Sequence, residues 1–176
     1  MSNGILATKE YLDVIKLEHL GGTWGGGAAS KAKYIIADME KLGVTSVLDY
    51  GCGNGKLKPA VLALREDLTV HEYDPAVVGK DSLPAPVEYV ACIDVLEHVE
   101  PELLDNVLSH ISQLMQVGGF MHPCLVEAGL ILKDGRNAHL IVEDADWWLD
   151  KLSKFFTLEK VLYSTDKHLA VFVRKV

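Results

Sequence analysis

The chain has 176 residues, a length typical of one domain that buries about 70% of its unfolded surface without a metal or disulfide staple. Its net charge of −8 disfavours a broad nucleic-acid surface but leaves room for a basic patch in one groove. Three cysteines without close spacing argue against a disulfide framework or a zinc site. No apolar run has the form of a signal region or the ~20 residues of a membrane span, so we expect a soluble cytoplasmic protein without a membrane partner. No pattern indicates its oligomeric state.

Apolar periodicity and turn signals predict alternating helices and strands. In chain order these are a helix over 8–20, a helix over 31–42, a strand over 44–50, a short helix ending near 65, strands over 68–73 and 87–94, a helix from about 101, a strand over 120–126, a helix over 145–156, and strands over 157–163 and 168–174. The alternation predicts an α/β fold, with a doubly wound, mostly parallel sheet and helices on both faces. The last two strands can form a hairpin, which adds an antiparallel strand. We expect one domain, with a helical lid segment over 1–43 and the α/β core over 44–176.

Capping signals predict the ends of several helices. Ser30 is a suitable N-cap for the second helix, and Gly43 is its expected C′ residue. Asp144 can cap the last helix in the same way as Ser30. The pair Gly118-Gly119 is expected to end the helix that precedes the fourth predicted strand.

The first predicted strand runs into the glycine-rich sequence Asp49–Gly55 (DYGCGNG). Glycines at alternate positions let the backbone approach a ligand closely and adopt positive φ. In open α/β sheets, ligands bind beyond the carboxyl ends of the strands. The dinucleotide fingerprint G-x-G-x-x-G needs a third glycine where this chain has Lys56, so the spacing excludes that interpretation.

The pattern G-x-G-x-G, with Asp49 two residues before it, resembles the cofactor loop of class I S-adenosylmethionine (SAM)-dependent methyltransferases. Asp74 follows at about the 20-residue distance expected for an acid that binds ribose hydroxyls. The run Val90–Val99 (VACIDVLEHV) is similar to the fourth-strand motif of that superfamily. The later run Asp134–His139 (DGRNAH) resembles small bacterial and phage-type members.

The resemblance implies methyl transfer from SAM to an oxygen or nitrogen atom of an unidentified small molecule, sugar or polymer, with S-adenosylhomocysteine (SAH) as product. The cofactor contacts that it implies are Asp49, Tyr50, Gly51, Cys52, Gly53 and Gly55 at the glycine loop, Tyr73 and Asp74 at the ribose, and Asp94 and Val95 beside the sulfonium and methyl.

The chain departs from the family pattern after Asp74. The family has a helix, a strand and a second helix before its fourth-strand motif, whereas here only residues 75–86 (PAVVGKDSLPAP) intervene. A parallel crossover needs about a dozen residues or more, so this segment cannot hold three elements. We predict a sheet trimmed to about six strands, with a short loop over the adenine. Asp81 in that loop either contacts the adenine or is a solvated loop charge.

Methyl transfer is an in-line displacement, so positioning supplies most of the acceleration and a base is needed only when the acceptor carries a proton. Candidate bases are His98 and His139, although either histidine can instead be structural. Arg136 and Asn137 can orient the acceptor, or they can hold their own loop by hydrogen bonds. Trp24, between glycines, is a candidate lid over the site, with a place in the core as the alternative.

Two other functions are compatible with the same residues. Asp94, Glu97 and His98 with His139 resemble the carboxylate and histidine cluster of small-RNA 3′-end 2′-O-methyltransferases, whose ligand types suit Mg²⁺ or Mn²⁺. The leading interpretation needs no metal. The third possibility is a SAM-binding accessory module without catalysis.

Overall fold

The computed structural model describes residues 4–20 and 27–176. In chain order the elements are α1 (Lys9–Leu20), a 3₁₀ turn (Ala28–Lys31), α2 (Ala32–Leu42), β1 (Ser46–Tyr50), α3 (Leu57–Leu62), β2 (Thr69–Tyr73), β3 (Val87–Ile93), 3₁₀ turns at Leu96–His98 and Pro101–Leu103, α4 (Leu104–Leu114), β4 (Met115–His122), α5 (Ala145–Ser153), β5 (Thr157–Ser164) and β6 (Leu169–Arg174).

The six strands form one sheet in the order β2-β1-β3-β4-β6-β5. The first four strands pair in parallel, and β6 pairs antiparallel with both β4 and β5. The trimmed sheet and its terminal hairpin are therefore confirmed. Strand β2 stands at one edge of this order, and β5 stands at the other.

Two apolar layers cover the sheet, one on each face, as the doubly wound prediction requires. One layer centres on α4 and α5 and includes Leu108 and Trp148, both fully buried. The other centres on α2 and α3 and includes Ile35 and Val61, also fully buried. A smaller cluster joins Tyr11 and other α1 residues to the loops after β2 and β4.

The sequence predicts that Gly118 and Gly119 end a helix, and this prediction is wrong. Both glycines lie inside β4. The preceding helix ends at Leu114, and the strand begins at once. A Cβ on Gly119 would lie 2.7 Å from the carbonyl oxygen of Val90 on the neighbouring strand. The glycine therefore permits a close approach of β4 to β3, which is a long-range requirement that mimics a local turn signal.

Ser30 is likewise not an N-cap, because it lies within the 3₁₀ turn and its hydroxyl donates to the carbonyl of Gly27. Two other predicted caps are confirmed. Gly43 ends α2 in the left-handed conformation with φ of 67°, and the Asp144 carboxylate accepts a hydrogen bond from the backbone N–H of Trp147. Among the described residues, every helix is too short or too polar to cross a bilayer.

Candidate active site

A cavity of about 430 Å³ opens at the carboxyl ends of β1, β2 and β3. One end is bordered by the glycine loop after β1 and by Asp74 after β2. The other end is bordered by α1 and by His98, with Ala128 and Leu130 from the loop after β4. The cavity thus has a polar end built by the sheet and a largely apolar end closed by α1.

The glycine loop has a backbone shape that other residues would strain. Gly51, Gly53 and Gly55 all have positive φ. At Gly51 there is also no room for a side chain, since a Cβ would lie 2.4 Å from Cγ2 of Val95. The loop is held by its backbone, because the N–H groups of Gly51 and Cys52 both donate to the carbonyl of Tyr73.

Asp49, the fourth residue of β1, is a buried carboxylate at the polar end of the cavity. Its Oδ2 atom is buried and has no hydrogen-bond partner among the described residues. Burial, together with the charge of Glu72, raises the pKa of Asp49 to about 7. A cationic ligand group at this position would stabilise the ionised carboxylate and satisfy the unpartnered oxygen.

Asp74 joins the glycine loop to the end of β2. Its Oδ2 accepts the N–H of Gly53 at 2.9 Å, and its Oδ1 accepts the N–H of Ala76 at 2.9 Å. Each carboxylate oxygen can accept a second hydrogen bond, so Asp74 can still bind a hydroxyl group in the cavity. Sequence reasoning assigned only the ligand role and missed the structural one.

Asp94 follows β3 and is the only non-glycine residue with positive φ (53°) in the part of the chain that the structure describes. Such conformations are costly and concentrate at functional sites. The carboxylate accepts a hydrogen bond from Nδ1 of His122 at 2.9 Å. Burial opposes ionisation of Asp94, but the hydrogen bond and charge of His122 outweigh it and lower its pKa.

A second polar group comprises Glu97, His98 and His139, of which His98 belongs to the lining at the α1 end of the cavity. One potential ligand atom from each lies within 4.8 Å of the others. Glu97 is fully buried, and burial raises its pKa to about 8. In the part of the chain that the structure describes, its Oε2 has no hydrogen-bond partner. Burial also lowers the pKa of His98 to about 4, against the opposing effect of its hydrogen bond with the Ala138 carbonyl.

Helix α1 is fastened over the cavity by two sets of hydrogen bonds. The Tyr11 hydroxyl donates to the carbonyl of His98 at 2.6 Å. The Glu100 carboxylate accepts from the backbone N–H and the hydroxyl of Thr8, both at 2.7 Å. These bonds place Ile15 and His19 in the cavity wall.

No family model and no curated protein sequence matches the chain, but solved structures do. The 1,6-didemethyltoxoflavin-N1-methyltransferase of Burkholderia thailandensis, solved with bound 1,6-didemethyltoxoflavin and SAH, is 19% identical; the match covers 98% of this chain and 92% of that one, with a TM-score of 0.68. Magnesium protoporphyrin IX methyltransferase from Synechocystis PCC 6803, solved with SAH, is 15% identical over 96% and 98% of the two chains, with a TM-score of 0.61. Mitomycin 7-O-methyltransferase is 15% identical over 85% of this chain but only 54% of its own, with a TM-score of 0.64. The chain has the class I SAM-dependent methyltransferase fold.

The methyltransferase fold brings most of the predicted site residues together around the cavity. Those that line it are Asp49, Tyr50, Gly51, Cys52, Gly53, Asp74, Asp94, Val95 and His98. Those outside the lining are Gly55, Tyr73, Asp81, Arg136, Asn137 and His139. Trp24 lies outside the described residues.

The predicted acceptor loop is held by its own contacts, which favours the alternative interpretation of Arg136 and Asn137. The Asn137 amide pairs with both the N–H and the carbonyl of Ala128. Arg136 is exposed, pairs with Asp134, and lies 5.1 Å from the Tyr11 ring centre. Neither residue belongs to the cavity lining.

The other predicted residues outside the lining also have structural contacts. Asp81 is exposed and accepts the N–H of Gly79, in keeping with a solvated loop charge. Tyr73 packs beside Tyr50, with ring centres 5.2 Å apart, while its carbonyl holds the glycine loop. Gly55 leaves room for Glu72, whose Oε1 would lie 2.2 Å from a Cβ there.

Sequence reasoning missed the α1 residues of the cavity wall and the buried partner of Asp94. The periodicity of α1 indicates an apolar face but not what that face covers. His122 lies at the end of a strand whose neighbour ends at Ile93. In this register Ile93 pairs with His122, which places His122 beside Asp94. Sequence reasoning missed this contact because it placed the strand at 120–126 instead of Met115–His122.

Proposed function

We propose that this protein transfers a methyl group from SAM to an oxygen or nitrogen atom of a small acceptor molecule. The observation that carries the proposal is one cavity with a glycine loop, Asp49 and Asp74 at one end and His98 at the other. Three structures of the same fold, described above, belong to methyltransferases. The toxoflavin enzyme was solved with a small-molecule acceptor bound.

The polar end fits SAM by the chemistry of its residues. Asp49 offers an unpartnered buried oxygen to the ammonium of the methionine part. The glycine loop would lie against the same part, and Asp74 would accept hydrogen bonds from the ribose hydroxyls. Asp94 and Val95 would lie beside the reacting centre. When bound, SAM supplies an electrophilic methyl group on a sulfonium.

The α1 end would bind the acceptor. Its walls include Leu12, Ile15 and Leu130, which favour a mostly apolar molecule. The pairing of His98 Nδ1 with the Ala138 carbonyl at 2.7 Å leaves the basic lone pair of a neutral ring on Nε2. His98, with His139 4.8 Å away between ring centres, is the proposed base. Because burial lowers its pKa to about 4, it would serve an acceptor whose own proton is acidic.

Calorimetric titration with SAM tests the cofactor half of the proposal. Asp49→Asn and Asp74→Ala should each weaken binding about tenfold or more, because a charged hydrogen bond contributes ~1.5–3 kcal/mol. Asp150→Asn is the matched control, since the Asp150 carboxylate is exposed, pairs with the exposed Lys154 and lies outside the cavity lining. If the wild-type protein binds no SAM, the proposal is wrong.

Transfer of label from methyl-labelled SAM to a panel of small aromatic hydroxyl and amine compounds, and to a cell extract, tests the enzymatic half. Label transfer should be lost in Asp74→Ala. Tight SAM binding without transfer to any acceptor would instead support the non-catalytic binding module.

Metal-assisted methylation is a second candidate, and the unpartnered Oε2 of buried Glu97 beside His98 and His139 favours it. In this alternative Glu97, His98 and His139 would hold the ion, which would supply Lewis-acid activation of an acceptor hydroxyl. The fourth residue of the sequence pattern, Asp94, is instead paired with His122. Activity that survives EDTA would exclude this candidate.

A further inference from the structure

We propose that Asp94, His122 and His168 form a separate binding site for a divalent transition-metal ion such as Zn²⁺ or Co²⁺. The three residues come from three chain segments, after β3, at the end of β4 and just before β6. One potential ligand atom from each lies within 4.8 Å of the others. His122 and His168 do not line the cavity, so the site lies behind its Asp94 wall.

The distances within this group suit coordination. The Oδ1 of Asp94 and the Nδ1 of His122 are 2.9 Å apart. Ligands on zinc at ~2.0–2.1 Å lie about 3–3.4 Å from one another, so these two atoms already have nearly the spacing of neighbouring ligands. The ring of His168 is partly exposed and belongs to the short β5–β6 connection, so a small movement of that connection would complete the set.

A supporting contact for a metal-bound His122 is also present. Its Nε2 atom is 2.8 Å from the hydroxyl oxygen of Tyr163. With the ion on Nδ1, the Nε2–H would donate to that oxygen, which is how ligating histidines are usually held. The backbone N–H of Asp94 donates to the carbonyl of His122 at 2.9 Å and keeps the two residues together.

The position of His168 is not explained by a simple hydrogen bond between Asp94 and His122. Its Nδ1 atom is buried and has no hydrogen-bond partner within residues 4–20 and 27–176, and its ring stacks on His122 with centres 5.1 Å apart. A buried polar atom without a partner destabilises the fold, and coordination would satisfy it. Lys31 and Lys167 bring positive charge close to His168, and the Nζ of Lys31 lies 5.6 Å from the Tyr163 ring centre.

The donor set selects the kind of ion. Two imidazoles and one carboxylate suit Zn²⁺, Co²⁺ or Ni²⁺, whereas Mg²⁺ and Ca²⁺ prefer oxygen ligands. Because Asp94 also borders the cavity, the ion would place positive charge beside the proposed position of the SAM sulfonium. We therefore expect the ion and SAM to weaken each other's binding by the same factor, a consequence that rests on the proposed function.

Titration of the chelator-treated full-length protein with Co²⁺, without SAM, tests the site independently of methyl transfer. We expect one ion per chain by calorimetry, with the visible absorption of protein-bound Co²⁺. His168→Phe keeps the stacked ring but removes the nitrogen ligands, and it should weaken binding about tenfold or more. His71→Phe, which changes an exposed histidine on β2, should bind Co²⁺ as the wild type does.

His139→Phe separates this site from the group around Glu97. Co²⁺ binding that persists in His139→Phe and is weakened in His168→Phe supports the proposal. Binding lost in His139→Phe but retained in His168→Phe would place the ion at Glu97 and overturn it. Equal loss in His71→Phe, or no binding of Co²⁺ or Zn²⁺ to the wild type, would also overturn it. SAM binding in these samples, measured apart, reports on the proposed function alone.

Discussion

Replacing Gly51 with alanine tests how closely the glycine loop fits against the residues after β3. The new Cβ would lie 2.4 Å from Cγ2 and 2.6 Å from Cγ1 of Val95, on a backbone with φ of 75°. A left-handed backbone costs a non-glycine residue about 1–2 kcal/mol. Overpacking of a filled site adds about 1–3 kcal/mol. We therefore expect Gly51→Ala to lower the free energy of unfolding by about 2–5 kcal/mol and to weaken SAM binding.

Two control variants separate backbone strain from the steric clash. Gly43→Ala also requires a left-handed backbone, with φ of 67°, but a Cβ there has nothing within 4 Å, so only the backbone cost applies. Val95→Ala removes both Cγ atoms, which leaves only Cβ at 3.1 Å from the new methyl group. The double variant Gly51→Ala/Val95→Ala should therefore be more stable than the sum of its single changes predicts, by about 1–2 kcal/mol.

Chemical denaturation of the four proteins and the wild type measures the free energies of unfolding, and calorimetry measures SAM affinity. Equal losses in Gly51→Ala and Gly43→Ala would refute the steric argument. So would strict additivity in the double variant, because it would mean that Gly51 and Val95 do not interact.

Three further outcomes follow from single side chains. SAM affinity, measured by calorimetry, should fall as the pH drops through about 7. Burial raises the pKa of Asp49 to about 7, so below that pH its carboxyl becomes protonated and cannot pair with an ammonium. Asp49→Asn should bind SAM weakly and without this pH dependence. Tyr11→Phe should lower the free energy of unfolding, measured by denaturant titration, by ~0.5–1.5 kcal/mol, because it removes the hydrogen bond to the His98 carbonyl. The control Tyr34→Phe, at a half-exposed ring, should change that free energy by less than ~0.5 kcal/mol. Trp148→Ala should lower the free energy of unfolding by ~3–5 kcal/mol, because the side chain is fully buried. Trp148→Phe should lower it much less, because the phenyl ring keeps much of the packing and removes an indole N–H that has no partner among the described residues.

The sequence was sufficient for the order of the elements and for the polar end of the cavity, because both depend on local patterns. The glycine loop, Asp74 and the β3 motif each follow directly from a strand end. In a parallel sheet those ends meet at one edge, so their proximity could be predicted without coordinates. The short segment 75–86 predicted the missing strand in the same way, by its length alone.

The α1 end of the cavity could not be predicted because its contacts join distant parts of the chain. Tyr11 meets the His98 carbonyl across 87 residues, and Thr8 meets Glu100 across 92. Nothing in the local pattern of either segment indicates its partner. Gly119 was wrongly predicted to end a helix, because its local sequence resembles a helix stop. The glycine is instead required by the close approach of β4 to β3, a contact between distant parts of the chain.

The shortened connection after β2 explains how the glycine loop is held without the missing strand. The N–H of Asp74 donates to the carbonyl of Lys80, which closes residues 74–80 into a compact turn. The Lys80 ammonium then reaches Glu72 at 2.9 Å and the Gly53 carbonyl at 3.4 Å. The Lys80 side chain, from the short connection after β2, thus neutralises Glu72 on the edge strand and also anchors the glycine loop. Charged side chains on an edge strand also oppose pairing with another chain, so the trimmed edge is protected by the same contacts that hold the cavity.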